Sequence, residues 1–396
     1  MQAGGQRKLR VKESELELYI HIPFCVRKCF YCDFLSAPAG ADTRERYVQA
    51  LLSEIIGRNR EYGDRLVTSV FFGGGTPSLL TAPQMKRLLE TVSGSFFLAQ
   101  DAEITAEINP GTVDPEKLSA YAQAGINRLS MGLQSADNGE LKAIGRIHTW
   151  EQFLEAYRWA RQAGFANVNV DLMSTLPGQT TESYRGTLRK VIALTPQPEH
   201  ISAYSLILEE GTVLYDRYQA GLVDIPDEDT DRWMYQETKH ILAAAGYRRY
   251  EISNYAKEGF ECQHNCGYWQ RRDYLGLGLG ASSMIGNVRF KNGEDLEHYL
   301  REPLGCRAEE RKLSVKEQME EYMFLGLRLT EGVESGGFQG AFGCAPEQIY
   351  GTVIAKNIKD GLLEYRGDKS RLALTERGLD LANYVMAQFL LDSGEK

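Results

Sequence analysis

Three cysteines fall within eight residues in Cys25-Val-Arg-Lys-Cys29-Phe-Tyr-Cys32. Thiolates are soft ligands that suit zinc and iron–sulfur clusters. Three at this spacing can grip three irons of a [4Fe–4S] cubane, leaving the fourth iron without a nearby protein ligand. Clusters that only carry electrons are usually closed by four cysteines. An open iron can bind an exchangeable small molecule. The competing readings are zinc, with His21 as a neighbouring ligand, and coincidence. Structural zinc favours paired Cys-x-x-Cys units separated by a longer loop, so the cluster is the better reading. Cys262, Cys266, Cys306 and Cys344 are scattered, and the total of seven is odd. That pattern is no disulfide framework and fits a reducing compartment.

The elements around the triplet predict where it sits. Apolar, β-branched runs recur at 16–22, 67–72, 102–108, 127–133, 168–172 and 201–208, with helical patterns between them. The first helix is expected to start at Asp42, with Glu45 completing a capping box. Its residues Val48, Leu51, Leu52, Ile55 and Ile56 share one face. Pro83 and Pro115 suit first helical turns, and Trp150 opens a further helix. Six strand–helix units in a row predict a parallel sheet with helices outside, a partial barrel. Such barrels place their sites at the C-terminal ends of strands. Those ends carry His21 and Pro23, Gly73 to Gly75, Glu107, Gln134, Asp171 and Ser205. One polar residue there is what any turn needs; six at equivalent places point to a shared pocket.

The texture changes after about residue 300. Helices are expected at 318–329 and 345–357, then a hairpin around Gly367-Asp368-Lys369 and a last amphipathic helix from Glu376. Helices followed by a two-stranded wing suggest a small winged-helix-like α+β domain over 301–396. It shows no basic recognition helix, so a packing or interaction role is the better reading. Residues 1–15 are expected to form a flexible start and 16–300 the barrel domain. The chain of 396 residues carries a net charge of −9, with 43% hydrophobic and 25% charged residues. That composition is ordinary for a soluble globular protein and argues against nucleic acid as a main partner. No apolar run approaches the roughly 20 residues that span a bilayer, and a cytoplasmic location is expected.

The triplet resembles the signature of the radical S-adenosylmethionine superfamily, Cys-x3-Cys-x2-Cys after the first strand. Tyr19-Ile-His-Ile-Pro-Phe-Cys25 and Phe72-Gly-Gly-Gly-Thr-Pro-Ser78 resemble the oxygen-independent coproporphyrinogen III oxidase family. Asn127 to Ser135, Gly145-Arg-Ile-His148 and Asp171-Leu-Met-Ser-Thr-Leu-Pro-Gly-Gln179 extend the resemblance, which covers about residues 16–390. It implies a cluster on Cys25, Cys29 and Cys32 with S-adenosylmethionine at the open iron. Gly74, Gly75 and Thr76 would approach the methionine amino group. Glu107 and Asp171 would accept hydrogen bonds from the amino group or ribose. Gln134 and Arg146 complete the set, with Arg146 pairing the methionine carboxylate, and Tyr19 and Tyr31 would flank the cofactor. The implied chemistry is one-electron reduction of the sulfonium, releasing methionine and a 5′-deoxyadenosyl radical.

Within the family, the decarboxylating oxidases have a fourth cysteine two residues after the triplet. Phe34 stands there in this chain. The Cys-Asp-Phe ending resembles the HemW branch, regarded as heme chaperones, and His264-Asn-Cys-Gly-Tyr-Trp269 matches that branch's His-Asn-x-x-Tyr-Trp motif. The resemblance implies that His264 is an axial heme ligand, with Tyr268 and Trp269 covering a porphyrin face; the alternative is a hydrogen-bonded loop histidine. Gly276-Leu-Gly-Leu-Gly280 lacks the strand–turn–helix setting of a dinucleotide loop and is expected to pack under the barrel floor. The expected function is binding heme and passing it to an acceptor hemoprotein, such as a membrane cytochrome. Any membrane association would be peripheral and through that partner, and the protein itself a monomer or homodimer. The alternative is an enzyme, oxidative decarboxylation of coproporphyrinogen III.

Overall fold

The alternation of strands and helices is present in the computed structural model, which describes residues 12–391. Six strands lie side by side in sequence order and pair in parallel: β1 (Lys12–Ile22), β2 (Arg65–Gly74), β3 (Phe97–Ile108), β4 (Arg128–Gln134), β5 (Val168–Ser174) and β6 (His200–Ser205). Their outward residues, such as Leu16, Leu18, Ile20, Val70 and Phe72, join the helices in the main core. Two short strands, β7 (Arg248–Arg249) and β8 (Asn254–Ala256), extend the sheet beyond β6. On the other edge β9 (Tyr274–Leu277) runs parallel to β1, and β10 (Ser282–Ile285), β11 (Val288–Asn292) and β12 (Arg307–Lys312) continue it antiparallel. The barrel is therefore partial, since β1 and β6 pair with β9 and β8 rather than with each other.

The inward residues of the six strands are largely polar. Glu17, Tyr19 and His21 alternate on β1, Glu103, Thr105 and Glu107 on β3, and Arg128, Ser130 and Gln134 on β4. Strand geometry sends alternate side chains to opposite faces, so each run reads apolar outward and polar inward. The runs were expected to be apolar with polar ends; the polar positions continue down into the barrel.

Several expectations change in detail. The flexible start over 1–15 lies outside the described residues as far as 11, and Lys12 onward belongs to β1. The first helix is Ala41–Tyr62, capped by Gly40 without a side-chain hydrogen bond. Glu45 instead holds Gln84 and Arg87 of the next helix, both at 2.8 Å, so no capping box forms. Ile56 is 60% exposed, and the inner face runs through Tyr47, Val48, Leu51, Glu54 and Ile55. Gly276 lies on β9 opposite Tyr19, and Gly278 packs against His21 at the C-terminal end of β1, so this segment is not under the floor. Arg307–Lys312 pairs with β11 and so belongs to the large sheet.

The C-terminal domain has its own core, including Met323, Leu327, Phe338, Ile354, Leu374 and Phe389. Helices Val315–Gly326, Ser335–Phe342 and Pro346–Lys359 precede the expected hairpin of β14 (Leu363–Arg366) and β15 (Arg371–Leu374), with β13 (Val333–Glu334) on its edge. The last helix is broken into Glu376–Asp380 and Ala382–Ala387. The domain docks through Glu321, which bonds Arg271 at 3.2 Å and Arg289 at 2.9 Å, and through Arg328 stacked on Trp269.

One buried carboxyl ties the added strands to the barrel. Glu54 accepts from Gly278 N at 2.8 Å, Asn292 Nδ2 at 2.7 Å and Tyr299 OH at 2.7 Å. Removing one partner of a buried network strands the others. Glu54→Ala is expected to cost about 3 kcal/mol or more, read as a lower denaturation midpoint, whereas Glu45→Ala at the surface costs under about 1 kcal/mol.

Candidate cofactor site

The triplet loop leaves β1 at Pro23 and crosses the C-terminal end of the barrel. It is held by backbone bonds: Cys25 N donates to Ala37 O at 3.1 Å, Phe30 N to Ile144 O at 3.0 Å, and Leu214 N to Phe30 O at 2.8 Å. Arg27 adds a bond to Gly145 O at 3.1 Å. The thiols of Cys25, Cys29 and Cys32 all line one cavity of about 370 Å³. His21, the neighbouring ligand of the zinc reading, is bonded on both ring nitrogens, to Tyr19 OH and Leu35 O.

The same cavity collects Tyr31, Gly74, Gly75, Thr76, Glu107, Gln134, Arg146 and Asp171. Eight of the nine residues expected around S-adenosylmethionine thus meet the triplet. Tyr19 lies deeper, stacked against Phe71 and His264, and is absent from this lining. Thr76 Oγ1 donates to Cys25 Sγ at 3.4 Å, and Arg146 NH1 to Cys29 Sγ at 3.7 Å. Gly74 has φ of +113° and gives its N–H to Glu107 Oε2 at 3.1 Å; a Cβ there would strike the His21 ring. Only glycine lets the backbone pass so close. Gln134 is held at φ of +74°, a strained conformation of the kind that clusters at functional sites.

Electrostatics set the acids apart from surface carboxylates. Burial, then the neighbouring Asp171, raises Glu107 to about 8. Burial also raises Asp171, against hydrogen bonds from Asn169 and Ser130. These supporting residues, Asn169 at 2.8 Å and Ser130 at 3.2 Å from Asp171, were not singled out in the sequence. Their signal was the period-two polar positions on β4 and β5. Burial raises the Cys32 thiol to about 11, so a cluster must displace its proton.

The motif at 264–269 folds as the helix Gln263–Trp269 and lies inside the curve of the sheet. His264 is buried, with Nδ1 2.8 Å from Ser69 Oγ and Nε2 2.9 Å from Tyr268 OH. Burial, then Arg128, lowers it to about 3, so it is neutral. Both ring nitrogens have a hydrogen-bond partner inside the barrel, the arrangement of the hydrogen-bonded alternative. Glu103 accepts from the backbone N–H of Gln263 and His264. A Cβ on Gly267 would collide with the Glu17 carboxyl, which explains the glycine within the motif. Tyr268 and Trp269 do line a second, neighbouring cavity.

Comparison with known proteins decides the family. The radical SAM superfamily model matches residues 19–191, and the HemN C-terminal domain model matches residues 313–381. The heme chaperone HemW of Lactococcus lactis is 39% identical over 375 residues, covering 94% of this chain and 97% of that protein. The heme chaperone HemW of Escherichia coli is 38% identical over 389 residues, covering 96% of this chain and 100% of that protein. The chain belongs to the HemW family. The fold is that of coproporphyrinogen III oxidase HemN of Escherichia coli, a radical SAM enzyme, with a TM-score of 0.83 and 24% identity over 96% of this chain and 91% of that one.

Membership of the radical SAM superfamily implies a [4Fe–4S] cluster and S-adenosylmethionine. The residues present in this HemW chain fit both. Three thiols face one cavity, a glycine passage lies beside it, and a buried guanidinium with an unpartnered Nε, Arg146, stands across from two acids. No helix is long and apolar enough to cross a membrane among the described residues.

Glu107→Gln keeps the shape but replaces one carboxyl oxygen acceptor with an amide donor. Affinity for S-adenosylmethionine, measured by equilibrium dialysis on reconstituted protein, is expected to fall about tenfold or more with iron content unchanged. Glu17 gives a pH test. Burial raises it from 4.5 to about 8, so between those values the folded chain holds a proton that the unfolded chain has released. Stability therefore falls as pH rises through that window. Glu17→Gln removes the titration, and its unfolding free energy from denaturant titration should gain on the parent protein from pH about 5 to about 8, by at most roughly 4 to 5 kcal/mol.

Proposed function

We propose that this protein is a heme chaperone: it binds heme and delivers it to an acceptor hemoprotein, such as a membrane cytochrome. Relatedness to heme chaperones along nearly the whole chain carries the reading. Phe34 supports it, because the family's decarboxylating members carry a cysteine at that place. Phe34 is 64% exposed and lines the cofactor cavity, where a thiol would otherwise face the same space.

Cys25, Cys29 and Cys32 would hold the cluster, and the residues lining the same cavity would hold S-adenosylmethionine beside it. When bound and reduced, that pair supplies one-electron chemistry. The chain's own residues position and enclose it. Glu107 and Asp171 accept hydrogen bonds from the cofactor's polar groups, Arg146 takes its carboxylate, and Tyr31 closes the side. The protein works in the cytoplasm and meets a membrane only through its acceptor.

The test is anaerobic. Heme-loaded protein mixed with an apo b-type cytochrome should lose its heme to the acceptor, followed by the acceptor's Soret band and its recovered activity. Consumption of coproporphyrinogen III over many turnovers, with protoporphyrinogen formed, would show an oxidase instead and sink the proposal.

A further inference from the structure

A second cavity, of about 590 Å³, opens beside the cofactor cavity. Its floor is the barrel's inner face continued past β1. Glu17 is in register with Tyr274, Tyr274 with Met284, Met284 with Arg289, and Ser282 with Lys291. Residues directly opposite on neighbouring strands share a face, so these side chains form one surface with the barrel interior. Tyr268 and Trp269 wall one side, and Leu325 of the C-terminal domain reaches the cavity from that domain. The Trp269 indole N–H has no acceptor in the protein.

The volume lies within the few hundred to a thousand Å³ typical of ligand pockets, and the lining is mainly apolar and aromatic. Two cations, Arg289 and Lys291, stand on its floor. Arg289 pairs with Glu321 at 2.9 Å, and Lys291 with Glu294 across an exposed ion pair. Exposed pairs of this kind are weak, so Lys291 can exchange its partner cheaply. Phe34, Gly74 and Glu107 belong to both linings, so the second cavity meets the cofactor cavity there.

A flat apolar ring system bearing two carboxylates matches this arrangement: a sheet floor, an aromatic wall and cations on one side. We propose that the iron tetrapyrrole sits in this cavity, its ring between the β9–β11 floor and Trp269, with a carboxylate at Lys291. The inference rests on the heme-chaperone reading and places the ligand away from the His264 ring. The motif's aromatic end then serves as wall and its histidine as interior support.

The experiment titrates heme, and separately heme dimethyl ester, into the reconstituted holoprotein and into two variants. Ser282→Trp puts an indole into the cavity from an exposed position, and heme Kd should rise at least about tenfold. Lys291→Glu should weaken heme by about fivefold or more and leave the ester nearly unchanged, because only the free carboxylates see the charge. Iron content and S-adenosylmethionine affinity should match the parent in both. If Ser282→Trp does not fold, the Lys291→Glu comparison decides alone. Saturable heme binding by the parent with both variants within about twofold of it overturns the placement and leaves the chaperone reading standing. No saturable binding by the parent overturns both.

Discussion

Three thiols must face one cavity from a loop of eight residues, and nothing within that loop is regular enough to hold them. The restraint comes from outside. Ala37, Ile144 and Leu214 each share a backbone hydrogen bond with it, and Arg27 is anchored on Gly145. Those partners follow different strands, so the loop is positioned only when β1, β4 and β6 are in place. Long-range anchoring makes the open side of the cluster a property of the barrel, and the ring of Tyr31, Glu107, Gln134, Arg146 and Asp171 is assembled by the same closure.

Beneath that ring the barrel is polar, which is costly unless its groups satisfy one another. His264 bridges Ser69 and Tyr268, His200 bridges Asn169 at 2.7 Å and Tyr250 at 2.8 Å, and Glu103 caps the helix that carries His264. The residue types of the 264–269 motif are also those that fill a polar barrel. The same helix presents Tyr268 and Trp269 outward along the sheet, so one short element supports the cofactor floor and shapes the space beside it.

Much of this was legible in the sequence, for identifiable reasons. Cys25, Cys29 and Cys32 are close in the chain, so their spacing alone carried the chemistry. Glu107 and Gln134 end strands, where a parallel barrel collects its site, while Asp171 lies mid-strand on β5. Tyr19 precedes Cys25 by six positions but points into the barrel two residues below His21, so it lines the neighbouring cavity beside Gly74 and Glu107. His264 could not be assigned, because whether an imidazole is open or saturated depends on Ser69, far away in the chain. Ile56 was assigned inward by periodicity, while Glu54 took an inward place because Gly278, Asn292 and Tyr299 supply its hydrogen bonds. The second cavity depends on cross-strand register and on docking of the C-terminal domain, neither of which is written locally.

The central claim is that three protein thiolates leave one iron open to S-adenosylmethionine. Electron paramagnetic resonance of the reduced, reconstituted protein, recorded with and without S-adenosylmethionine, tests it most directly. The account predicts a [4Fe–4S] signal whose g values shift when the cofactor is added, and loss of that signal in Cys32→Ser. A cubane signal identical with and without S-adenosylmethionine, or undiminished in Cys32→Ser, would contradict it.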